Sequence, residues 1–507
     1  MLKAEIAIAA AAGPWAAQHG RWACGSSWIE PFANPALEAF AAETDGGTTI
    51  VVRERVDGRP RTASPSDDLT RMQAEGWPAD FHIVRLAAGM VTVSAGDRGA
   101  APLYVTAAAD RLVVSWWLGD LAPHQPTLRI DQVEAVRYLS RLHRYSTATV
   151  WRDVHRVTER ASAVWYGGQV RIDLPPPAPH YLARTLTPAA DPVAAYGTLL
   201  RGQVRARALD GAAAFVEVSG GLDSANVAVA AQEELPGVRA YGLLLAGPAG
   251  AQQYRRRQQL LDLLGLDDVT VDAQQYPPLC GIPPRSRNPD PMLEPYQECL
   301  DAVVAAAAAA GASAVLTGIG GDELLGLRPA ERGDRGPTPA TGPDLELLSA
   351  RARHLALDLP EPQMPAAALY EPTLLAAASR APVFLRRGIW PINILAAPDV
   401  VRFCEWLPRG WRADRRLHRQ RLLARGLPQD WPRPHLRENF AGVMTRGMTI
   451  HGLRLLDDAL REPRLGDLGL IDVAAVRAAA DRLAATGALT AGLYEVVNLE
   501  LALCGES

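Results

Sequence analysis

Lysine is almost missing from these 507 residues: Lys3 stands alone against 51 arginines. From residue 4 onward every permanent positive side chain is a guanidinium. A guanidinium can hold developing negative charge bidentately, but it does not deprotonate in proteins and so cannot act as a base. The five cysteines (Cys24, Cys280, Cys299, Cys404 and Cys504) are scattered and include no Cys-x-x-Cys pair. That spacing points to neither a zinc site nor a disulfide framework, and it suits a reducing cytoplasm. No apolar run reaches the ~20 residues a membrane span needs. The longest, Val303 to Leu316, is mostly alanine and is broken by Gly311. Ile6 to Ala12 is a poor signal-peptide core beside Glu5 and Pro14 and reads as a first strand. A net charge of −4 gives no argument for nucleic-acid binding. Internal repeats and the Gly-x-x-x-x-Gly-Lys-[Ser/Thr] phosphate loop are both absent.

What remains is an ordinary soluble composition, 48% hydrophobic, in a chain long enough for two cores. Short runs at Thr48–Val52, His82–Leu86, Met90–Ser94 and Leu112–Trp117, parted by Gly, Pro and Asp, predict a β-rich domain over 1–173. The stiff stretch Leu174-Pro175-Pro176-Pro177-Ala178-Pro179 opens a linker over 174–190. From 191 to 507, helical patterns alternate with short apolar strands, as a parallel sheet requires. The polar Pro/Gly stretch 328–343 reads either as a plain insertion or as a lid.

Two glycine turns carry the chemistry. Ala212–Val218 reads as a buried strand that runs into Ser219-Gly220-Gly221-Leu222-Asp223-Ser224 and then a helix from Ala225 to Glu233. Glycines at such a turn bring backbone N–H groups close to a ligand, and the helix start adds its positive dipole end. Phosphate is the usual guest. A second strand, Ala312–Thr317, runs into Gly318-Ile319-Gly320-Gly321-Asp322-Glu323. Alone, Asp322 reads as a helix N-cap. Beside Asp223 it reads as half of a Mg²⁺ site, because strand-end carboxylates of a parallel sheet face one crevice. Val238–Leu245 predicts the neighbouring strand.

The first turn resembles the pyrophosphatase-loop motif of the asparagine synthetases, and the second resembles their later motif. The Gly-Ile-Gly-Gly-Asp-Glu form is most similar to the lasso peptide cyclases. Further likeness lies in Asp97-Arg98-Gly99-Ala100-Ala101-Pro102-Leu103-Tyr104, similar to a glutaminase-domain segment but one residue shorter. Trp390-Pro391 through Phe403, with Leu407-Pro408, resembles the family's late helical region. The resemblance implies a degenerate glutaminase-type (Ntn-like) β sandwich followed by an α/β synthetase domain with a helical C-terminal region. It also implies ATP and Mg²⁺ as cofactors. Val218, Ser219, Gly220, Gly221, Leu222, Asp223, Ser224, Gly318 and Gly320 would hold the nucleotide, and Asp223 and Asp322 the metal.

Departures from the family narrow the activity. A glutaminase needs an N-terminal cysteine after Met removal. Here Leu2 follows Met1 and the first cysteine is Cys24, so the amine is expected to arrive with the substrate. The family's catalytic lysine lies in an Arg-Pro-Lys-type segment. The comparable stretch, Arg433-Pro434-His435-Leu436-Arg437, offers Arg437 with His435 beside it. The cluster Arg415–Arg421, including Arg419, resembles the segment that contacts pyrophosphate. β-Lactam synthetases carry a Tyr where this chain has Ile319, which favours an amine that arrives neutral, such as a peptide α-amine of pKa about 7.7–8.0. The expected activity is macrolactam closure of a precursor peptide through an acyl-adenylate, with a leader peptidase and a precursor-recognition protein as partners. A small-molecule amide or β-lactam synthetase and an inactive scaffold are the alternatives.

Overall fold

The computed structural model describes residues 1–504 except 45, 60, 125–128, 284–289, 329–330, 332–341 and 366. The expected lid, 328–343, falls for the most part outside the described residues.

Among the described residues, thirteen strands build the N-terminal half: β1 (Leu2–Ala7), β2 (Ala16–Gln18), β3 (Arg21–Cys24), β4 (Ser27–Pro31), β5 (Leu37–Thr44), β6 (Gly47–Glu54), β7 (Phe81–Ala87), β8 (Met90–Ala95), β9 (Tyr104–Ala108), β10 (Arg111–Ser115), β11 (Val154–Arg156), β12 (Ser162–Tyr166) and β13 (Gln169–Asp173). They form two antiparallel sheets, in the orders β11-β9-β10-β1-β4-β3-β2 and β13-β12-β8-β7-β6-β5. The β-branched run Thr48-Thr49-Ile50-Val51-Val52 makes β6 the most buried of these strands, as suits a strand paired on both sides. The stretch 174–190 contains no helix or strand but docks on the helix Pro398–Trp406, through His180 Nδ1 to Glu405 Oε1 (2.7 Å) and the Tyr181 N–H donating to Glu405 Oε2 (3.0 Å).

The second half holds a five-stranded parallel sheet of β14 (Ala214–Glu217), β15 (Arg239–Leu244), β16 (Asp268–Asp272), β17 (Ala314–Leu316) and β18 (Trp390–Ile392). Its order is β16-β15-β14-β17-β18. The chain winds outward from β14 to β16, then returns to add β17 on the other side of β14. The strand order therefore reverses between β14 and β17, the crevice where open α/β sheets bind ligands. Both glycine turns leave the sheet at this point.

Several expectations need correction. Of Ile6–Ala12 only Ile6 and Ala7 belong to β1, since Ile8–Ala10 forms a 3₁₀ turn. The strand before the first glycine turn is shorter than its apolar run, because Gly211–Ala213 forms a 3₁₀ turn, and the following helix begins earlier, at Leu222. Trp390–Ile392, expected in a helical region, is the edge strand β18. Pro391 can sit there because an edge strand need not donate on its outer side. The helical region proper follows, and its last helix, Leu493–Leu503, is buried on nearly all sides.

The halves share core packing, and buried carboxylates tie them together. Glu54 at the end of β6 accepts from Arg207 Nε (2.8 Å) and from Trp390 Nε1 (3.2 Å). β18 is thereby tied to the N-terminal sheet, and the parallel sheet is held in place behind its crevice.

Candidate active site

The first turn is built from its own hydroxyls. Val218 stays in the ladder, its N–H donating to Tyr241 O at 2.9 Å. The chain then reverses at Gly220, whose φ of +87° lies in the left-handed region that favours glycine. Ser224 Oγ accepts from the Ser219 N–H (3.1 Å) and sits 2.8 Å from Ser219 Oγ, which itself accepts from the Gly221 N–H (3.2 Å). Gln253 braces the outside, its Nε2 donating to the carbonyls of Ser219 (3.0 Å) and Leu243 (3.1 Å). No side chain caps the helix Leu222–Glu234, so its first-turn N–H groups stay available to an anion.

The second turn is locked onto the first. Glu217 Oε2 accepts from the Gly318 N–H at 3.0 Å, and Gly320 takes φ +95° before the single turn Gly321–Leu324. A Cβ on Gly318 would lie 2.9 Å from Ser224 N, and one on Gly321 only 2.2 Å from Asp223 Cγ. These glycines let two backbones meet, which explains why both turns are rich in them.

Asp223 and Asp322 are brought together as expected, but by a residue that motif reading left inside a cluster. The Arg415 guanidinium binds Asp223 through Nη2 and Asp322 through Nη1, the latter at 2.8 Å. Behind Asp223, buried His418 places Nδ1 3.0 Å from its Oδ1, and Tyr196 Oη lies 2.8 Å from His418 Nε2. Burial pushes the Asp223 pKa up, but the His418 hydrogen bond and the Arg415 charge outweigh it and hold the carboxyl below its ordinary value. Burial pushes His418 down and leaves it neutral. Two carboxylates on one guanidinium are close enough for one cation to serve both. A pair of carboxylates completed by phosphate oxygens and water is how Mg²⁺ is usually held. Among the described residues no group of three or more His, Cys, Asp or Glu forms a full protein cage.

Both turns line a cavity of about 310 Å³, shared with Tyr241, Tyr296, Leu300, Thr373, Arg380 and Phe440. Tyr296 and Phe440 stack at 4.2 Å, and Arg380 donates to Glu294 (Nε, 2.9 Å) and Tyr296 Oη (Nη2, 2.7 Å). Ser219, Gly221, Asp223, Ser224, Gly318, Gly320 and Asp322 border this cavity, whereas Val218, Gly220 and Leu222 support it from behind. The late candidates stand off the wall. Arg437 and His435 are exposed, and the His435 backbone is anchored on Gln252 Oε1 at 2.9 Å. Arg419 pairs with Asp414, which Arg433 also approaches at 3.1 Å. Sequence reading missed Tyr196, His418 and Gln253. His418 lay inside the arginine cluster, three residues after Arg415. Tyr196 carried no local signal at all, because its contact spans 222 residues.

A strand-reversal crevice with two facing glycine turns has a match among known families. Residues 195–380 match the asparagine synthase family model. That stretch covers both turns and Arg380, and it supports ATP-dependent amide-bond formation in an asparagine synthetase-like domain. The family uses ATP, typically with Mg²⁺. No curated protein matches the chain. Among the described residues no helix is long and apolar enough to cross a membrane.

Proposed function

We propose that the chain is an AMP-forming carbon–nitrogen ligase that closes a macrolactam on a lasso precursor peptide. It would join an Asp or Glu side chain of the core peptide to the new N-terminal amine. Asp223 and Asp322 would hold Mg²⁺, which neutralises the departing pyrophosphate. The N–H groups at the start of the helix Leu222–Glu234 cradle that pyrophosphate while the peptide carboxylate attacks the α-phosphorus of ATP. The amine then attacks the acyl-adenylate and AMP leaves. Holding amine and acyl group together supplies several kcal/mol of the barrier. Arg437 is proposed to steady the adenylate from the rim, on the segment whose Phe440 lines the cavity.

The observation that supports this reading is Ile319, at the position where the β-lactam synthetases carry a tyrosine. Ile319, nearly buried, borders the cavity and cannot take a proton. The nearby phenols do not replace it, because burial raises both Tyr241 and Tyr296 well above their ordinary range. An α-amine needs less help from a base than a lysine-like amine near pKa 10. The sole cysteine of residues 1–173, Cys24, ends strand β3 in an edge hairpin, so glutamine is not proposed as nitrogen donor. A cavity of about 310 Å³ sits at the low end for small-molecule sites and favours, as second reading, a small-molecule amide synthetase. A precursor-recognition protein, a leader peptidase and a cytoplasmic setting belong to the first reading.

The test is ATP–pyrophosphate exchange with core peptides carrying Asp or Glu at ring-closing distances, followed by mass spectrometry. Loss of one water with AMP release is expected. Exchange driven only by small carboxylic acids would favour the second reading, and no exchange with any acid would make the chain a scaffold. Glutamate release from glutamine would restore a glutaminase.

A further inference from the structure

Asp223 is gripped from two sides by one turn of the Arg415–Ala424 region. Arg415 Nη2 and His418 Nδ1 both reach its Oδ1, the histidine at 3.0 Å, while no described residue donates to Oδ2. The two donors differ in freedom. The Arg415 side chain is 27% exposed, whereas that of His418 is wholly buried. Arg415 also stands on a backbone joint, since Asp414 and Arg415 take φ of 55° and 52° between two helical turns. His418 is fixed by its other face: Tyr196 Oη lies 2.8 Å from Nε2, and the two rings stack at 5.5 Å.

The tautomer follows from this chain. The Tyr196 hydroxyl has a proton to give and Nε2 a lone pair to receive it, so the ring proton sits on Nδ1 and is donated to the carboxylate. The opposite tautomer would set a lone pair against Asp223. His418 therefore holds Oδ1 with one donor, in one orientation. A carboxylate so held turns its free Oδ2 to the crevice, the arrangement by which outer groups orient metal-binding carboxylates. Arg415, in contrast, fills the very position between Asp223 and Asp322 that a shared cation would take.

We propose that Tyr196 and His418 are positioning residues for Asp223, and that Arg415 is an exchangeable placeholder which a divalent cation displaces. The inference rests on reading the crevice as a metal–nucleotide site. It makes predictions of opposite sign for residues that touch the same carboxylate. A purely structural role would not produce that pattern.

The experiment titrates Mn²⁺ alone into the full-length chain, without nucleotide, and reads the free ion by its EPR signal. His418→Leu should weaken Mn²⁺ binding by about 10- to 100-fold, the range for loss of an outer partner of a metal ligand. His418→Asn, which can return an N–H near the Nδ1 position, should fall between His418→Leu and the parent. Tyr196→Phe should weaken binding several-fold with circular dichroism unchanged. Arg415→Ala should tighten it several-fold, because a competitor is gone. If His418→Leu does not fold, Tyr196→Phe and Arg415→Ala decide. Parental affinity in Tyr196→Phe and His418→Leu, or weakened binding in Arg415→Ala, overturns the inference. So does a parent chain that takes up no Mn²⁺ at millimolar concentration yet exchanges pyrophosphate, and in that case the proposed function stands. Ordered Mn²⁺ affinities without any exchange would sink the function and leave the inference in place.

Discussion

The N-terminal sandwich at Asp80 and Glu159 and the crevice at Asp223 treat a buried carboxylate in opposite ways. Glu298 and Glu500 of the second half, raised to about 7 by burial, side with the first pair. In the N-terminal half Asp80 is buried almost completely, and its donors among the described residues are backbone N–H groups, Ala100 at 2.8 Å and Phe81 at 3.0 Å. Burial, with the Glu54 charge nearby, raises its pKa to about 7. Glu159 is raised to about 7 mainly by burial as well, with the Ala368 N–H donating to it at 2.8 Å. In the crevice Asp223 meets the same burial but has a guanidinium and an imidazole N–H, and its pKa falls below the usual value. Asp80 and Glu159 tend to keep their protons and serve packing, while the crevice acid is kept ionised. A charged carboxylate at a strand end is useful chemistry, and a protonated one in a sandwich is structure.

The largest break in this contrast should come from Asp223→Asn. Removing the charge while keeping the shape should lower ATP-dependent pyrophosphate release by roughly 10²–10³, the scale seen when a key charge-stabilising group is lost. Asp322→Asn should fall in the same direction by less, because its side chain is 80% exposed and water can partly replace it. Melting temperatures should stay within a few degrees of the parent. Either variant turning over ATP at the parental rate in saturating Mg²⁺ would remove these acids from the chemistry.

Arg437→Ala tests how far the active region extends beyond the cavity wall. If the rim segment steadies the adenylate, amide formation should drop by about 10², with ATP binding retained. Arg437→Lys should recover part of the loss, since charge returns without the bidentate geometry. Single-turnover measurement of the amide-forming step separates the two halves of the reaction. An unchanged rate makes Arg437 a surface cation.

Gly321→Ala should cost about 10-fold to 10² in activity with little loss of stability. The backbone there is an ordinary one, so no strain arises from conformation. The new Cβ would stand 2.2 Å from Asp223 Cγ and must push that carboxylate away from its partners. Circular dichroism and exchange rates measured together check this. A variant as active as the parent would show that Asp223 has room to move.

How much of this was legible beforehand depends on the range of the interaction. Ser219–Ser224 and Gly318–Glu323 announce themselves because a strand, a glycine turn and a helix are consecutive in the chain. The meeting of Asp223 with Asp322 followed from the rule that parallel strand ends face one crevice. The Arg415 bridge did not, since the six polar and basic residues from Arg415 to Arg421 look alike until a backbone joint aims one of them. Tyr196 and Glu54 were invisible for a deeper reason. Their partners, His418 and Trp390, lie hundreds of residues away, and nothing local in a tyrosine or glutamate marks it as buried. Trp390–Ile392 misled because three residues are too few for a period, and only pairing with β17 makes them a strand.

The smallest expected effect sharpens the contrast from the N-terminal side. A carboxyl whose folded pKa is raised contributes stability that is fully present below its unfolded pKa, near 3.8, and is lost as pH rises through the folded value, about 7 for Asp80. Comparing Asp80→Asn with the parent isolates that one group from every other titrating residue. The substitution has a constant cost, since one backbone N–H loses its acceptor. On top of that cost, the variant should gain on the parent between pH 5 and pH 7 by up to about 2 kcal/mol, and then level off. In a chain of this size the gain reads as a rise of a few degrees in relative melting temperature. The ATP-dependent activity of the two proteins should follow the same pH profile, because Asp80 lies outside the crevice. A stability difference that is flat from pH 5 to pH 8 would mean that Asp80 is ionised in the folded chain, and the contrast between Asp80 and Asp223 would be lost.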